Sequence, residues 1–181
     1  MLRHNGWKDS KKRVRGRMRA NGWMVCQRVK TPRPRVQERQ SVASEPNRRW
    51  SIDVVSFPCG EDGLAYLAVV MDNFNREVLG YEFALRGRAQ EAVRALEEAL
   101  LGRFGSLFVG VDGLVLRSDN GLIFQSKAFR AACQAQGVKQ EFITPYMPQH
   151  NGVIEQFFRS LKEECVGCHV FANVVEAKQA I

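Results

Sequence analysis

A nearly continuous apolar run, Leu64-Ala65-Tyr66-Leu67-Ala68-Val69-Val70-Met71, lies between two turn clusters, Pro58-Cys59-Gly60-Glu61-Asp62-Gly63 and Asp72-Asn73-Phe74-Asn75-Arg76. A short run of this kind, bounded by turn residues, suits a strand buried on both faces. Residues 50–57 before it are rich in β-formers, and residues 77–83 after it alternate apolar with polar. Three antiparallel strands joined by short turns are therefore expected first. The period then changes. Ala92, Val93, Leu96, Leu100 and Phe104 share one helical face, which predicts a helix over 89–104. A short strand over 114–117, a helix capped by Ser126 and stopped by Gly137, and a strand over 138–143 follow. The last predicted element is a helix entered at Asn151, a residue type suited to an N-cap. Ile154, Phe157, Phe158 and Leu161 form its apolar face, while Glu155, Arg159 and Lys162 recur on a polar one. The order β-β-β-α-β-α-β-α is an α/β architecture, a five-stranded mixed sheet with helices on both faces.

Charge divides the chain differently. Residues 1–50 carry 15 Lys and Arg against 3 Asp and Glu, a net of +12, whereas residues 51–181 carry a net of −4. A basic arm on a mildly acidic body is the asymmetry of a nucleic-acid binder. Within the arm, residues 11–20 form a cationic helix capped by Asp9 or Ser10, with Asn21-Gly22 as a left-handed stop. Residues 1–27 read as a basic helical segment, residues 28–47 as a basic, Pro-containing linker, and residues 48–181 as the folded body. No run approaches the roughly 18 apolar residues of a membrane span, and no secretory signal is visible, so a cytoplasmic protein without membrane contact is expected.

Three carboxylates stand out. Asp53 interrupts an apolar strand, where a carboxylate is unfavourable unless paired or bound to metal. Asp119 sits just past the end of another strand, in Ser118-Asp119-Asn120-Gly121. Glu155 lies one turn into the last helix. The topology can bring all three to one edge of the sheet, where hard oxygen ligands suit Mg²⁺ or Mn²⁺. The five cysteines are read as reduced thiols. Cys165-Val166-Gly167-Cys168-His169 spells a haem-attachment pattern, but it trails off an amphipathic helix and is read as structural.

The segments Trp50-Ser51-Ile52-Asp53, Arg117-Ser118-Asp119-Asn120-Gly121 and Pro148-Gln149-His150-Asn151-Gly152-Val153-Ile154-Glu155, with 35 residues between Asp119 and Glu155, resemble the catalytic core of DDE transposases and retroviral integrases. The resemblance extends to two-reading-frame bacterial insertion-sequence transposases through Phe157-Phe158-Arg159-Ser160-Leu161-Lys162-Glu163-Glu164 and Pro46-Asn47-Arg48-Arg49-Trp50. It implies a ribonuclease H-like fold and a DNA transposase that cleaves transposon ends and transfers strands into target DNA. Asp53, Asp119 and Glu155 would be the catalytic carboxylates and hold two Mg²⁺ or Mn²⁺ ions when DNA is bound. Lys162, Arg159, Asn120, Asn151, Arg48 and Arg49 would contact DNA. A homo-oligomer on DNA, and fusion to or partnership with an upstream-frame helix-turn-helix protein, are further implications. Relatives usually continue past Ile181 with another helical stretch. The alternatives are a non-catalytic DNA-binding remnant and a ribonuclease H-like nuclease that only hydrolyses.

Overall fold

The computed structural model describes residues 10–21, 23, 43–107, 113–144 and 151–181. The chain divides into two compact units, Met1–Glu38 and Arg39–Ile181. In the first, helix α1 spans Lys11–Ala20, and Ser10 caps it by accepting from the Arg13 N–H at 3.3 Å. Asn21 closes the helix at φ −97°, with its side-chain amide donating to the Arg17 carbonyl at 2.8 Å, while Gly22, the other residue of the expected left-handed stop, lies outside the described residues. Residues 24–42, which hold most of the expected linker, lie outside the described residues, as do residues 145–150.

The second unit is built on a sheet in the order β3-β2-β1-β4-β5. Strands β1 (Arg49–Pro58), β2 (Leu64–Asp72) and β3 (Val78–Ala84) pair antiparallel through short turns. Strands β4 (Val115–Ser118) and β5 (Lys139–Phe142) add in parallel beside β1. Alternation along the strands divides the core between two faces. Trp50 and Ile52 face one way and pack with α2 (Ala89–Phe104), with Phe124 of α3 (Leu122–Gln125), and with Phe129 and Cys133 of α4 (Lys127–Ala135). Val55 and Phe57 face the other way and pack with Ile154 and Phe158 of α5 (Gly152–Glu164) and Ala177 of α6 (Val174–Ala180). Burying each of these large apolar side chains stabilises the fold by about 1.5–3 kcal/mol. The continuous run of β2 is buried because helices cover the sheet on both sides.

Two short helices escaped the hydrophobic pattern. α3 is a single turn, and α6 is marked only by its cap, Asn173, whose Oδ1 accepts from the Glu176 N–H at 3.0 Å. α6 is nonetheless well anchored. The Glu61 N–H donates to the Ala172 carbonyl at 3.0 Å, and the Val174 N–H donates to Asp62 Oδ2 at 2.7 Å. Gly60 makes that approach possible: it sits at φ +42°, and a Cβ there would come within 2.2 Å of the Ala172 oxygen. The β1–β2 turn thus clasps the segment that follows α5. Among the described residues no helix is long and apolar enough to cross a membrane.

Candidate active site

The parallel ladder between β1 and β4 runs only from Arg49↔Val115 to Ser51↔Arg117. Asp53 lies two residues beyond its last pair on β1, and Asp119 two residues beyond it on β4. Alternation puts both on the face that carries α5. These are interior strands, so both aspartates stand over the middle of the sheet, not at one of its edges as the sequence suggested. The physical cause is length: β4 stops at Ser118 while β1 continues to Pro58 along β2, and the ladder opens where they part. Ile154 and Phe158 hold α5 over the second core, and that brings Glu155 to the same opening. A groove of about 440 Å³ results, lined by Asp53, Glu155, Phe158, Arg159, Lys162 and Glu163.

Charge in this opening is under tension. Burial first, and then the neighbouring Asp119 and Glu155 carboxylates, together push the Asp53 carboxyl up to about 6. The Val54 N–H, 2.8 Å from Asp53 Oδ1, and the Lys162 ammonium pull in the opposite direction. Desolvation raises Glu155 as well. Asp119 is oriented by the Gly121 N–H, which donates to its Oδ1 at 2.9 Å. A Cβ on Gly121 would lie 2.8 Å from that oxygen, so a side chain there would push Asp119 aside. Asp119 and Glu155 are each within electrostatic reach of Asp53, but the three are not closed into a cage. Among the described residues no group of three His, Cys, Asp or Glu side chains is drawn together tightly enough to hold an ion.

The other expected site residues divide by occupation. Lys162 lines the groove and acts on Asp53. Arg159 lines it too, but pairs with Glu163 at 2.9 Å one turn along the helix. Asn120 Nδ2 donates to the Ile143 carbonyl at 2.9 Å, tying the Asp119 loop to the end of β5. Asn151 stands at the N-cap position without making the expected side-chain cap, and its Oδ1 is buried with no hydrogen-bond partner. Arg48 pairs with Glu45, and Arg49 lies 3.5 Å from Glu141. The Cys165 and Cys168 thiols turn to different backbone carbonyls, those of Ala180 and Glu163, and His169 stacks on Phe171. That agrees with a structural role. Sequence reasoning missed the buried Arg117, whose Nε lies 3.0 Å from Glu141 Oε2. Charged residues in four-residue strands read as surface, so no pattern signalled it.

A mixed five-stranded sheet in this order, with a carboxylate cluster where β1 and β4 part, defines a ribonuclease H-like protein. The comparisons name the family: models of the integrase core domain match residues 43–148 and 136–181, and the chain belongs to that family. The chain is 31% identical over 129 residues to the transposase InsF of insertion sequence IS3A from Escherichia coli, covering 71% of this chain and 43% of that protein. It is 33% identical over 159 residues to a 39.2 kDa protein of insertion element IS476 from Xanthomonas euvesicatoria, covering 87% of this chain and 44% of that one. The chain thus spans about half the length of the curated relatives it matches. Among solved structures, the simian T-cell lymphotropic virus intasome matches with a TM-score of 0.56 and 26% identity, over 70% of this chain and 43% of that one. The HTLV-2 integrase catalytic core in complex with magnesium matches at 0.50 and 22% identity, over 69% of this chain and 71% of that one, a likeness of fold.

Proposed function

We propose that this protein is a DNA transposase of the integrase type, cutting phosphodiester bonds at transposon ends and joining the freed ends to target DNA. The observation that carries the reading is Asp53, held part-buried between two further carboxylates at the open end of the β1–β4 ladder, with Lys162 opposite. The three carboxylates offer a hard-oxygen donor set of the kind that fits Mg²⁺ or Mn²⁺. Asp53 and Asp119 would hold one ion, and Asp53 with Glu155 the other. Such a pair activates the attacking oxygen and stabilises the leaving one.

The rest of the work belongs to the chain. Lys162 and Arg159, on successive turns of α5, would bind backbone phosphates beside the reacting one, and Phe158 walls the groove from below. Gly121 fixes one oxygen of Asp119, so that the other is presented. In-line displacement at phosphorus depends mainly on such positioning and charge neutralisation. The basic residues 1–27 and the linker 28–47 would add salt-sensitive, sequence-independent contacts from outside a core over 48–181. Since two transposon ends must be held together, a homo-oligomer on DNA is part of the reading, as is an upstream helix-turn-helix partner.

Incubation with labelled transposon-end duplex and Mn²⁺ tests it. Nicked and joined products, abolished by EDTA and by Glu155→Gln, are expected. Binding without cleavage would reduce the chain to a DNA-binding protein, and cleavage that never joins would make it a ribonuclease H-like nuclease.

A further inference from the structure

Arg117 is the most deeply buried charged side chain beside the site, its side chain only 5% exposed. A guanidinium cannot shed its proton in a protein, so once buried it must find a negative partner. On its face of the sheet two carboxylates among the described residues bear on it. Glu141 lies opposite on β5, with Oε2 3.0 Å from Arg117 Nε. Asp119 lies two residues further along the chain, just past the end of β4, at most about 6.6 Å away along the backbone at a rise of about 3.3 Å per residue, with Asp53 near it. In this structure Glu141 holds the guanidinium. Its same oxygen is 3.5 Å from Arg49 Nε, so a carboxylate on β5 is braced between arginines from β4 and β1. Those arginines sit two residues before Asp119 and four before Asp53.

We propose that Glu141 is a positioning residue that keeps Arg117 away from the Asp53–Asp119 pair and so leaves those carboxylates open to divalent cations. The inference rests on the metal-binding reading of the site. Arginine and carboxylate form a directional, charge-assisted pair. Were Arg117 to swing along the strand to Asp119, a fixed single positive charge would occupy the place where a dication must bind. Glu141 prevents this by being the nearer partner, and Arg49 prevents Glu141 from turning out to solvent. A pair that served only stability would leave metal affinity in the folded protein unchanged when broken.

The test is Mn²⁺ affinity of the full chain, read by electron paramagnetic resonance, with thermal melts run alongside to confirm folding. Glu141→Gln, which keeps the shape and removes the charge, is expected to weaken Mn²⁺ binding by at least about tenfold. Adding Arg117→Met should restore affinity to within about threefold of wild type, because the competing cation is gone. Unchanged binding in the single variant, or no recovery in the double, overturns the proposal. If Glu141→Gln does not fold, Arg117→Met alone decides. Its affinity should match or exceed wild type, and a folded Arg117→Met protein that has lost Mn²⁺ overturns the idea. If the wild-type chain binds no Mn²⁺, the metal reading itself fails. A crystal structure of metal-free Glu141→Gln then still separates the cases. Arg117 within about 4 Å of Asp119 or Asp53 supports the proposal, and an unmoved Arg117 refutes it.

Discussion

Asp53 carries its charge where charge is costly, and that cost is measurable. Its carboxyl is raised by burial from 3.8 to about 6, which disfavours the ionised form by about 3 kcal/mol. Between those two values the folded protein binds more protons than the unfolded chain, so metal-free stability falls as pH rises from about 4 to about 6. Asp53→Asn removes the penalty. It is expected to stabilise the metal-free protein by on the order of 2 kcal/mol at pH 7.5 and by far less at pH 4, as urea melts at the two pH values will show. Added Mg²⁺ should stabilise wild type more than the variant. The thiols offer a second check at this scale. Burial pushes Cys133 up to about 12 and raises Cys59, while Cys168 is exposed. A disulfide-exchange reagent at pH 8 should label Cys168 first among the described cysteines, and Cys133 and Cys59 only on unfolding, by mass-spectrometric mapping.

Helix α5 sets where Glu155, Arg159 and Lys162 lie, and it is held at both ends. Ile154 and Phe158 seat its body on the sheet, and the clasp of Gly60, Glu61 and Asp62 holds the chain that leaves it. Phe158→Ala should cost about 3–5 kcal/mol of stability by opening a cavity under the helix. Because the groove shares that side chain, the same variant should lose strand joining even at temperatures where it remains folded. A variant that loses stability but joins at the wild-type rate would show that α5 keeps its place without Phe158. Most of this element was readable beforehand, since the spacing of Ile154, Phe157, Phe158 and Leu161 specifies the buried face. α3 and α6 were not, because four and seven residues are too few for a period to declare itself.

Over the whole molecule, charge is partitioned between two units. α1 exposes six cations in ten residues, Lys11, Lys12, Arg13, Arg15, Arg17 and Arg19, with Val14 as its one half-buried position. Deleting residues 1–27 is expected to lower the slope of log affinity for duplex DNA against log salt by up to about 5, measured by fluorescence anisotropy. Thermal melts of the shortened protein, run alongside, check that the core stays folded. An unchanged salt slope would mean that the basic segment does not touch DNA.

The hydrophobic pattern by itself determined the strand and helix order, the buried middle strand, and which face of α5 packs, because each follows from local period and burial. The residue types and their positions, together with the family resemblance that the 35-residue spacing carries, singled out Asp53, Asp119 and Glu155 before any fold was known. Strand pairing decided the rest. Only the parallel register of β4 against β1 carries both aspartates to the centre of the sheet. Only the register of β5 against β4 sets Glu141 beside Arg117. Contacts between strands distant along the chain leave no periodic trace in it, so a buried guanidinium two residues from Asp119 looked like one more surface charge until the sheet was assembled.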